Sequence, residues 1–493
     1  MVVKSLARLS ITLAAVFLAV ELANRRQSTD NVLDLVCHRI ASTVSNATDV
    51  SYPTSPRYAA GIAHWSASST QRAACSVEPG TAQDVGVILR IIASSRTPFA
   101  VKGGGHVTNP GFSSTAGVHI AMSRFSTINV NHADLTVDVG AGLVWDDVYE
   151  VLNSSGMNVV GGRVPGVGVA GLVLGGGFSW KTSQYGLALD NVQAFELVRP
   201  DGEVITVTEA DEDLWFGLRG GFNNFGIVTK FTLKLHPQTE VWGGMYVVAA
   251  EYVDDFNTAA AKYSDKTIDK KAALIPTYVF MGGSLVLAFL MFYDGPSPPA
   301  GIFDDLLAIP SLSNDVHTRS YLSLVSSLGG TTAPAGSRAY FSSASVLRYT
   351  PSLLNVLSNE TVFWGQRMAA LDNTSLTSYA AQPFVADVFS HGPPSAYPAD
   401  RSRALLPTGL YFSWVDPALD GFVHDAMRQS TRTIIEAAVA AGQDVADAVR
   451  YPNYALNETP LEDLYGSNVP RLRAIRRTYD PQDVMGLAGG FKF

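Results

Sequence analysis

Apolar residues recur along this chain with two different periods, and their alternation predicts the order of helices and strands. Helical spacing over residues 82–95 predicts a helix, with the hydroxyl of Thr81 as its N-terminal cap. The same period predicts helices over 31–44 and 145–152. Short strand-like stretches lie among and after these helices: 118–122, 127–130, 135–139 and 227–235. The chain up to His236–Pro237 is therefore predicted to form one α+β domain.

The pattern of apolar and polar residues changes after Pro237. Strand patterns cover 242–248, 285–293 and 410–415, and helical patterns cover 253–263 and 423–441. We interpret the segment as a second domain, in which helices cover one face of an antiparallel sheet. Stretches rich in glycine, proline and serine predict loops near the mouth of a pocket: 295–301, 329–336 and 382–398.

Length and composition bound the class of protein. A chain of 493 residues is long for one core, so two domains are expected. The 47% of apolar and 16% of charged residues describe a well-buried globular protein. A net charge of −9 leaves no basic face for nucleic acid, and the dispersed lysines and arginines form no run that would bind a membrane surface.

The N-terminus has the form of a secretory signal peptide. Lys4 and Arg8 precede an apolar run over residues 9–22, and the small Ala23 is followed by polar residues. The run is short for a spanning helix and contains polar residues, so an uncleaved anchor is the less favoured interpretation. We expect residues 1–23 to be removed, the mature protein to be secreted, and no membrane association to remain.

If the protein is secreted, its two cysteines can form a disulfide and its five Asn-x-Ser/Thr sequons can be glycosylated. Cys37 and Cys75 are the only two cysteines. In an oxidising compartment such a pair is expected to form one disulfide, with two separate buried thiols as the alternative. Asn-x-Ser/Thr sequons begin at Asn46, Asn153, Asn359, Asn373 and Asn457. We expect the exposed sequons to carry glycans.

Three clusters of glycine carry the strongest chemical signal in the chain. The first is Gly103-Gly104-Gly105 followed by His106; the second extends over 161–177 and the third over 217–226. Glycine allows positive φ and close backbone approach, so such clusters suit one long ligand held by backbone N–H groups. None has the spacing of a Rossmann or Walker A motif, and three unrelated turns are the alternative.

The ordered set of motifs resembles a known family. It comprises Gly103-Gly104-Gly105-His106, Pro165-Gly-Val-Gly-Val-Ala-Gly171 with Gly175-Gly176-Gly177, Tyr185-Gly-Leu-Ala-Leu-Asp-Asn191-Val, Asp213-Leu-Trp-Phe-Gly-Leu-Arg-Gly-Gly-Phe-Asn-Asn-Phe-Gly226 and Tyr451-Pro-Asn-Tyr454. From about Pro53 to its C-terminus the chain is similar to the vanillyl-alcohol-oxidase (PCMH-type) flavoproteins, and among them to the berberine-bridge-enzyme-like branch.

The resemblance implies an α+β fold with two domains, a PCMH-type FAD-binding domain and a substrate domain built on an antiparallel sheet. The expected boundaries are a signal peptide over 1–23, an N-terminal segment over 24–70, the FAD-binding domain over 71–238, the substrate domain over 239–447 and a C-terminal segment over 448–493. That last segment resembles the part of the family that folds back to complete the FAD-binding domain.

The resemblance also implies FAD as the cofactor and assigns residues to it. His106 is expected to bond covalently to the methyl carbon of the isoalloxazine ring. Many relatives form a second bond through a cysteine, but this position is Val164 here, so a single covalent link is expected. The other cofactor-binding residues carried over from the motifs are Lys102, Gly103, Gly104, Gly105, Val107, Pro165, Gly166, Gly168, Gly171, Gly176, Gly226, Ile227, Val228, Asn453 and Tyr454.

A catalytic base is expected among the tyrosines, because the family uses tyrosines near the flavin to take a proton from the substrate. Tyr454 is the first candidate, with Tyr185 and Tyr411 behind it; a tyrosine that only shapes the pocket is an equal alternative for Tyr454. The acidic residue that relatives often carry two places after the Asn-Tyr pair is Leu456 here, which puts the family's base network in doubt. The remaining histidines lack metal-ligand spacing, so no metal site is predicted.

The activity implied by the resemblance is that of an FAD-dependent oxidase. We expect a monomer that oxidises a small organic molecule, with molecular oxygen as electron acceptor and hydrogen peroxide as product. The signal peptide, the sequons and the single link favour the fungal members that act on secondary metabolites. A carbohydrate oxidase is the runner-up, although two flavin links are usual there. A redox-neutral cyclase or isomerase is a third candidate, and a binding glycoprotein without turnover is a fourth.

Overall fold

The computed structural model describes residues 31–331 and 336–493. The predicted signal peptide, the start of the N-terminal segment and the centre of the predicted loop 329–336 lie outside these residues. Among the described residues, no helix combines the length and the apolar character needed to cross a membrane.

The first half of the chain alternates short strands with helices, as its periodicity predicts. Its helices are α1 over residues 31–43, α2 (Pro56–Ile62), α3 (Ala82–Ser95), α4 (Trp145–Leu152), α5 (Val169–Leu174), α6 (Thr182–Tyr185) and α7 (Glu212–Leu218). Its strands are β1 (Asp49–Ser51), β2 (Cys75–Glu78), β3 (Phe99–Lys102), β4 (Val118–Ala121), β5 (Ile128–Asn131), β6 (Thr136–Gly140), β7 (Met157–Asn158), β8 (Val192–Val198), β9 (Val204–Val207), β10 (Ile227–Lys234) and β11 (His236–Pro237).

Local sequence signals account for the bounds of the best-predicted helices. Helices α3 and α4 begin and end where apolar spacing predicts. The hydroxyl of Thr81 accepts a hydrogen bond from the N–H of Asp84 at 3.1 Å, which is the predicted N-terminal cap of α3. The apolar face of α3, which includes Val85 and Ile88, is fully buried, so burial stabilises the helix that the cap starts.

The strands of this half form two main sheets. The first has the order β1-β2-β4-β3, in which β4 runs parallel to both of its neighbours and β1 is antiparallel to β2. The second is antiparallel, with the order β5-β6-β10-β8-β9. Helix α3, which follows β2 of the first sheet, packs against β8 and β9 of the second and so connects the two. Strand β3 leads directly into the first glycine cluster.

The second half contains a large antiparallel sheet, as its strand patterns predict. Its strands are β12 (Val241–Ala249), β13 (Ala272–Met281), β14 (Ser284–Tyr293), β15 (Ser311–Asn314), β16 (His317–Arg319), β17 (Arg338–Val346), β18 (Leu376–Ala381) and β19 (Leu406–Trp414). The helices are α8 (Val253–Lys266), α9 (Asp304–Leu307), α10 (Tyr321–Ser327), α11 (Pro351–Leu371), α12 (Asp420–Ala440), α13 (Glu462–Tyr465) and α14 (Val469–Tyr479).

This sheet separates a helical layer from the first half of the molecule. Its order is β15-β12-β14-β13-β18-β19-β17, and β16 also pairs with β12. Helices α8, α11 and α12 pack side by side on one face. Alternation along β17 turns Ser342 toward Thr431 of α12, at 2.8 Å between hydroxyls, while Phe341 faces the other way. The structure has the predicted α+β, two-domain fold class.

Helix α11 is a long element that the sequence patterns did not predict. It contacts α8, α12, β13 and β18, so apolar residues occur on several of its faces and no single stripe stands out. Its start does carry a local signal. Thr350 caps the helix by accepting a hydrogen bond from the N–H of Leu353, and Pro351 occupies the first turn.

The C-terminal residues return to the first half of the molecule. Helix α14 packs against α7, and Ala488 forms a parallel bridge with Phe99 of β3. The ring of Phe493 lies 4.8 Å from that of Tyr465, and the N–H of Phe493 donates to Asn224. These contacts hold the segment that follows the Tyr-Pro-Asn-Tyr motif against the third glycine cluster.

The two cysteines form the predicted disulfide. Cys37 of α1 is bonded to Cys75 of β2, and both side chains are fully buried. The bond fastens the N-terminal helix to the sheet that carries the first glycine cluster, so it stabilises this part of the molecule by limiting the freedom of the unfolded chain.

Candidate active site

The first glycine cluster lies directly against the second. A Cβ atom on Gly104 would be 2.5 Å from Cα of Gly168, and a Cβ atom on Gly168 would be 2.6 Å from the backbone nitrogen of Gly104. No side chain fits at either position, so the two loops meet backbone to backbone. Gly105 has a φ of 71° and turns the chain toward His106.

Two tyrosines connect the second glycine cluster to the third. A Cβ atom on Gly176 would be 3.1 Å from the rings of both Tyr397 and Tyr451, and one on Gly220 would be 2.6 Å from the backbone nitrogen of Tyr397. The hydroxyl of Tyr451 accepts a hydrogen bond from the N–H of Gly177 at 3.1 Å. The three glycine clusters thus form one continuous region, as expected of loops that share a ligand.

Backbone donors in the first cluster are available to such a ligand. Gly105 is buried, yet its N–H and that of Gly104 donate to no acceptor in the part of the chain that the structure describes. Buried backbone donors in folded proteins are nearly always paired. These N–H groups therefore suit an acceptor on a bound molecule, and phosphate oxygens are acceptors of this kind.

The imidazole ring of His106 follows this loop and stacks on Trp65. The two ring centroids are 4.3 Å apart, with 13° between the planes. The Nε2 atom of His106 is buried and has no hydrogen-bond partner among the described residues. Burial lowers the pKa of His106 to about 4, so the ring is neutral at neutral pH and keeps a lone pair on one nitrogen.

Four aromatic side chains continue from His106 and form what we call the aromatic wall: Trp65, Phe341, Tyr411 and Tyr454. Phe341 lies at its centre, with ring centroids 6.0 Å from Trp65, 4.9 Å from Tyr411 and 5.7 Å from Tyr454. Phe341 and Tyr411 are directly opposed in the pairing of β17 with β19. All four side chains are partly exposed, so the wall offers an apolar surface to a planar ligand.

Arg163 stands at the polar end of the aromatic wall. Its side chain is only 9% exposed. The Nη2 atom donates to Oε1 of Gln382 at 2.7 Å and to the hydroxyl of Tyr454 at 3.1 Å. Both partners are neutral, and Arg163 forms no ion pair with any residue that the structure describes. The site therefore contains a buried positive charge without a carboxylate beside it.

Asn453 and Tyr451 support the turn that carries Tyr454. The amide nitrogen of Asn453 donates to the carbonyl of Leu172 at 3.2 Å and to the hydroxyl of Tyr451 at 2.9 Å. A Cβ atom on Gly175 would be 2.3 Å from Oδ1 of Asn453, so this turn lies directly on the second glycine cluster. Burial raises the pKa of Tyr451 to about 12, which makes it a poor base at neutral pH.

Several predicted cofactor residues border the same loops. Nζ of Lys102 donates to the carbonyl of Ala63 at 2.9 Å, and the N–H of Gly166 donates to Asp146 at 2.7 Å. Gly226 has a φ of 141° and precedes β10. A Cβ atom on Gly103 would be 2.9 Å from the carbonyl oxygen of Ala141, so this glycine also lies against neighbouring backbone.

The remaining predicted cofactor residues differ in burial. Ile227 and Val228, at the start of β10, are buried and pair with β8. Val107 and Pro165 are half-buried, and Gly171 is exposed. Residues that keep part of their surface free beside the glycine clusters can contact a ligand bound there.

The three candidate tyrosines fall into two places. Tyr454 and Tyr411 both belong to the aromatic wall. Tyr185 stacks instead on His236, with 3.8 Å between ring centroids, and His236 is held by Asn191 at 2.7 Å. Burial raises the pKa of Tyr185. The structure thus brings Tyr454 and Tyr411 together and places Tyr185 in a separate packed cluster.

Four residues of this site were not predicted individually: Trp65, Arg163, Phe341 and Gln382, although Gln382 begins the loop 382–398 that was expected near the pocket mouth. They come from segments far apart in the chain, and only folding assembles them. Arg163 offered a hint, because it immediately precedes Val164 in the second glycine cluster. Among the described residues, no group of three or more potential metal ligands lies together.

Comparison with known proteins identifies the family to which the chain is similar. The family of FAD binding domains matches residues 73–208. The FAD-dependent monooxygenase FUP4 of Fusarium proliferatum is 30% identical over 446 residues, which cover 85% of each chain. An FAD-linked oxidoreductase of Arthroderma benhamiae is 38% identical over 267 residues; this match spans 53% of each chain, about half the length of that relative.

A solved structure has the same fold. The crystal structure of 6-hydroxy-D-nicotine oxidase from Arthrobacter nicotinovorans matches 90% of this chain and 98% of its own, with a TM-score of 0.76 at 20% identity. Because the Fusarium relative aligns over most of both chains and the glycine clusters converge on one region, the chain belongs to the FAD-linked oxidoreductases of the vanillyl-alcohol-oxidase (PCMH-type) family, in its berberine-bridge-enzyme-like branch.

Proposed function

We propose that this FAD-linked oxidoreductase holds one FAD covalently through His106 alone and oxidises a small organic molecule at the aromatic wall, with oxygen as the electron acceptor. The observation that carries the proposal is the state of His106. Its ring is neutral, and its Nε2 atom is buried and has no partner among the described residues. A buried polar atom without a partner is costly, so the position is suited to a ring that gains a bond from a ligand.

The residues around His106 fit FAD. The unpaired N–H groups of Gly104 and Gly105 suit phosphate oxygens, and the bare backbone at Gly168 leaves room for a close approach. Asn453 and Tyr454 are assigned to the isoalloxazine side of the site. The remaining predicted cofactor residues border these loops and are assigned to the same cofactor.

A single covalent link is supported by the chemistry of the second glycine cluster. Val164 occupies the position where many relatives carry the second attachment, and its side chain cannot form such a bond. The two cysteines of the chain are bonded to each other, so neither supplies a thiol.

Bound FAD supplies a two-electron acceptor for hydride. The chain's own residues then have three tasks. Phe341 and Tyr411 pack against the substrate and orient it. Tyr454 takes the proton from the substrate hydroxyl while its own phenolic proton passes to solvent, and Arg163 positions the Tyr454 hydroxyl through the bond at 3.1 Å. Tyr411 is the alternative base on the same wall.

Monooxygenation is the second candidate reaction, because the Fusarium relative bears the name of an FAD-dependent monooxygenase. The two reactions differ in the fate of oxygen. An oxidase turned over under ¹⁸O₂ releases labelled hydrogen peroxide and leaves the product unlabelled. Label in the organic product, detected by mass spectrometry, would identify a monooxygenase instead. The substrates to be compared are aryl alcohols, polyketides, alkaloids and sugars.

We also propose that the protein is secreted as a glycosylated monomer, with the domain boundaries given by the family resemblance. The five sequon asparagines are all exposed, which is the condition for glycosylation, and the disulfide is of the kind formed in the secretory route. Treatment of the secreted protein with a glycosidase, followed by intact-mass measurement, tests both the glycans and the removal of residues 1–23.

The test of the covalent link is a His106→Ala variant. We expect the yellow colour to stay with acid-precipitated native protein and to move to the supernatant, or to be lost on purification, in the variant. The exposed His132 offers a matched control, since His132→Ala removes an imidazole outside the site. Flavin that remains bound after acid precipitation of His106→Ala would place the attachment elsewhere.

A further inference from the structure

We propose that Arg163, with Gln382 and Tyr454, forms an oxyanion-binding site for the substrate. The favoured substrates would then carry a carboxylate, or an ionised enol or phenol, conjugated to a flat ring. The inference rests on the proposed function only in placing the substrate at the aromatic wall.

The first step of the argument concerns charge. Two other buried cations among the described residues have a carboxylate partner: Nζ of Lys181 lies 3.5 Å from Asp294, and the guanidinium of Arg219 lies 3.0 Å from Asp190. Arg163 is buried, and no carboxylate of residues 31–331 or 336–493 forms an ion pair with it. An uncompensated buried charge destabilises a fold, so a negative group from a ligand is the expected partner.

The second step concerns hydrogen-bond donors. Both bonds that Arg163 makes to side chains use Nη2, and Nε and Nη1 donate to no residue that the structure describes. Neither of these nitrogens is among the fully enclosed polar atoms without a partner, so they keep contact with solvent. Nε and Nη1 point to different sides of the guanidinium, so each can donate a single charge-assisted hydrogen bond to an anionic oxygen of a carboxylate, enolate or phenolate.

The third step concerns the shape of the neighbouring surface. Tyr454, which accepts from Arg163, is stacked with Phe341 at 18° between ring planes. A molecule bound to Nε or Nη1 of Arg163 therefore lies close to a pair of nearly parallel rings. Such a surface favours a flat conjugated system over a saturated one, since planar rings stack with the largest contact.

The experiment measures binding to the purified holoenzyme by titration calorimetry, which requires no turnover. The probes are 2-naphthoate, its neutral isostere 2-naphthamide, and the acidic enol 4-hydroxycoumarin. We expect the native protein to bind at least one of the two anions about tenfold or more tightly than the amide, the effect of one charge-assisted contact. Preference for naphthoate alone identifies a carboxylate site, and preference for the coumarin alone identifies an enolate site.

Arg163→Gln is expected to reduce this preference to within about twofold while leaving the affinity for the amide little changed, because the neutral amide gains no charge-assisted contact from Arg163. The control is Arg432→Gln, which makes the same change of net charge at an exposed position of α12. It should keep the full preference. Equal binding of anions and amide by the native protein, or an unchanged preference in Arg163→Gln, would overturn the proposal.

A second variant keeps the test decisive if Arg163→Gln does not fold. Gln382→Glu places a carboxylate at the position that Arg163 already contacts at 2.7 Å, so it supplies the missing partner from within the chain. It should abolish the preference for anions and leave Arg163 packed. Retention of that preference would also refute the proposal. Neither result depends on peroxide formation, so a failed oxidase assay and a failed oxyanion site remain distinguishable.

Discussion

Two buried arginines of this molecule, Arg219 and Arg163, differ in what surrounds their charge. Arg219 bonds to Asp190 at 3.0 Å, and Arg401 contacts the same carboxylate at 2.8 Å. Arg219 also donates to the carbonyls of Leu189, Pro393 and Pro394. Within the described part of the chain, the guanidinium of Arg163 donates hydrogen bonds only to the neutral Gln382 and Tyr454.

This difference distinguishes Arg219, a cation with a structural role, from Arg163, a cation that is available to bind a ligand. The network around Asp190 joins the segment after α6 to the loop over 382–398, and every side-chain nitrogen of Arg219 donates within the protein. Such a network holds two parts of the chain together and leaves no nitrogen of Arg219 unpaired. The guanidinium of Arg163 lies beside the aromatic wall with donors unused, so its missing partner is expected to arrive with the substrate.

The largest expected effect on stability comes from removing the carboxylate of Asp190, which pairs with Arg219 and Arg401. Asp190→Asn leaves two arginines without their carboxylate, and breaking a buried ion pair in this way costs roughly 3–5 kcal/mol of the free energy of unfolding. Denaturant unfolding followed by fluorescence measures the loss. The control Asp425→Asn removes the exposed partner of Arg428 and should cost less than about 1 kcal/mol. Equal losses in both variants would show that the buried ion pairs of Asp190 stabilise the fold no more than an exposed ion pair does.

A smaller effect is expected at the neutral partner of Arg163. If Tyr454 is the base, Tyr454→Phe should slow flavin reduction by about two orders of magnitude, with little change in reoxidation by oxygen. If Tyr454 only shapes the pocket, the loss should be about tenfold, the value of one hydrogen bond. Anaerobic stopped-flow reduction distinguishes the two.

The control for this measurement is Tyr185→Phe. Because Tyr185 stacks on His236 outside the aromatic wall, its loss should leave the reduction rate nearly unchanged. A large fall in Tyr185→Phe together with a normal rate in Tyr454→Phe would move the base to the cluster around His236.

The smallest effect on stability is expected when Arg163 is replaced. Arg163→Met removes a buried charge that has no counter-ion in the described parts of the chain and replaces it with an apolar side chain. The free energy of unfolding should therefore change by no more than about 1–2 kcal/mol in either direction. The same denaturant experiment measures it beside Asp190→Asn. A loss as large as that of Asp190→Asn would make Arg163 a structural residue and remove the contrast.

Part of this molecule follows from local sequence alone. Residues 82–95 and 145–152 form helices at the predicted bounds because the apolar period is a local signal, and for 82–95 the cap at Thr81 agrees with it. The strands that were predicted lie within a few residues of β4, β5, β6, β10, β12, β14 and β19, since alternation also is local. Other strands, among them β8, β13, β17 and β18, were not predicted. Helix α11 was missed because neighbours on several sides bury it, and a helix of this kind shows no single apolar stripe.

The sequence by itself determined which residue types and motifs are present: three glycine clusters, one histidine after the first cluster, and a pair of cysteines that form a disulfide. Tertiary structure alone decided that Trp65, Phe341, Tyr411 and Tyr454 form one wall, because the pairing of β17 with β19 sets Phe341 opposite Tyr411. It also decided that Arg163 has no carboxylate beside it among the described residues. A charge is visible in a sequence, but its partner depends on which distant segments fold against it.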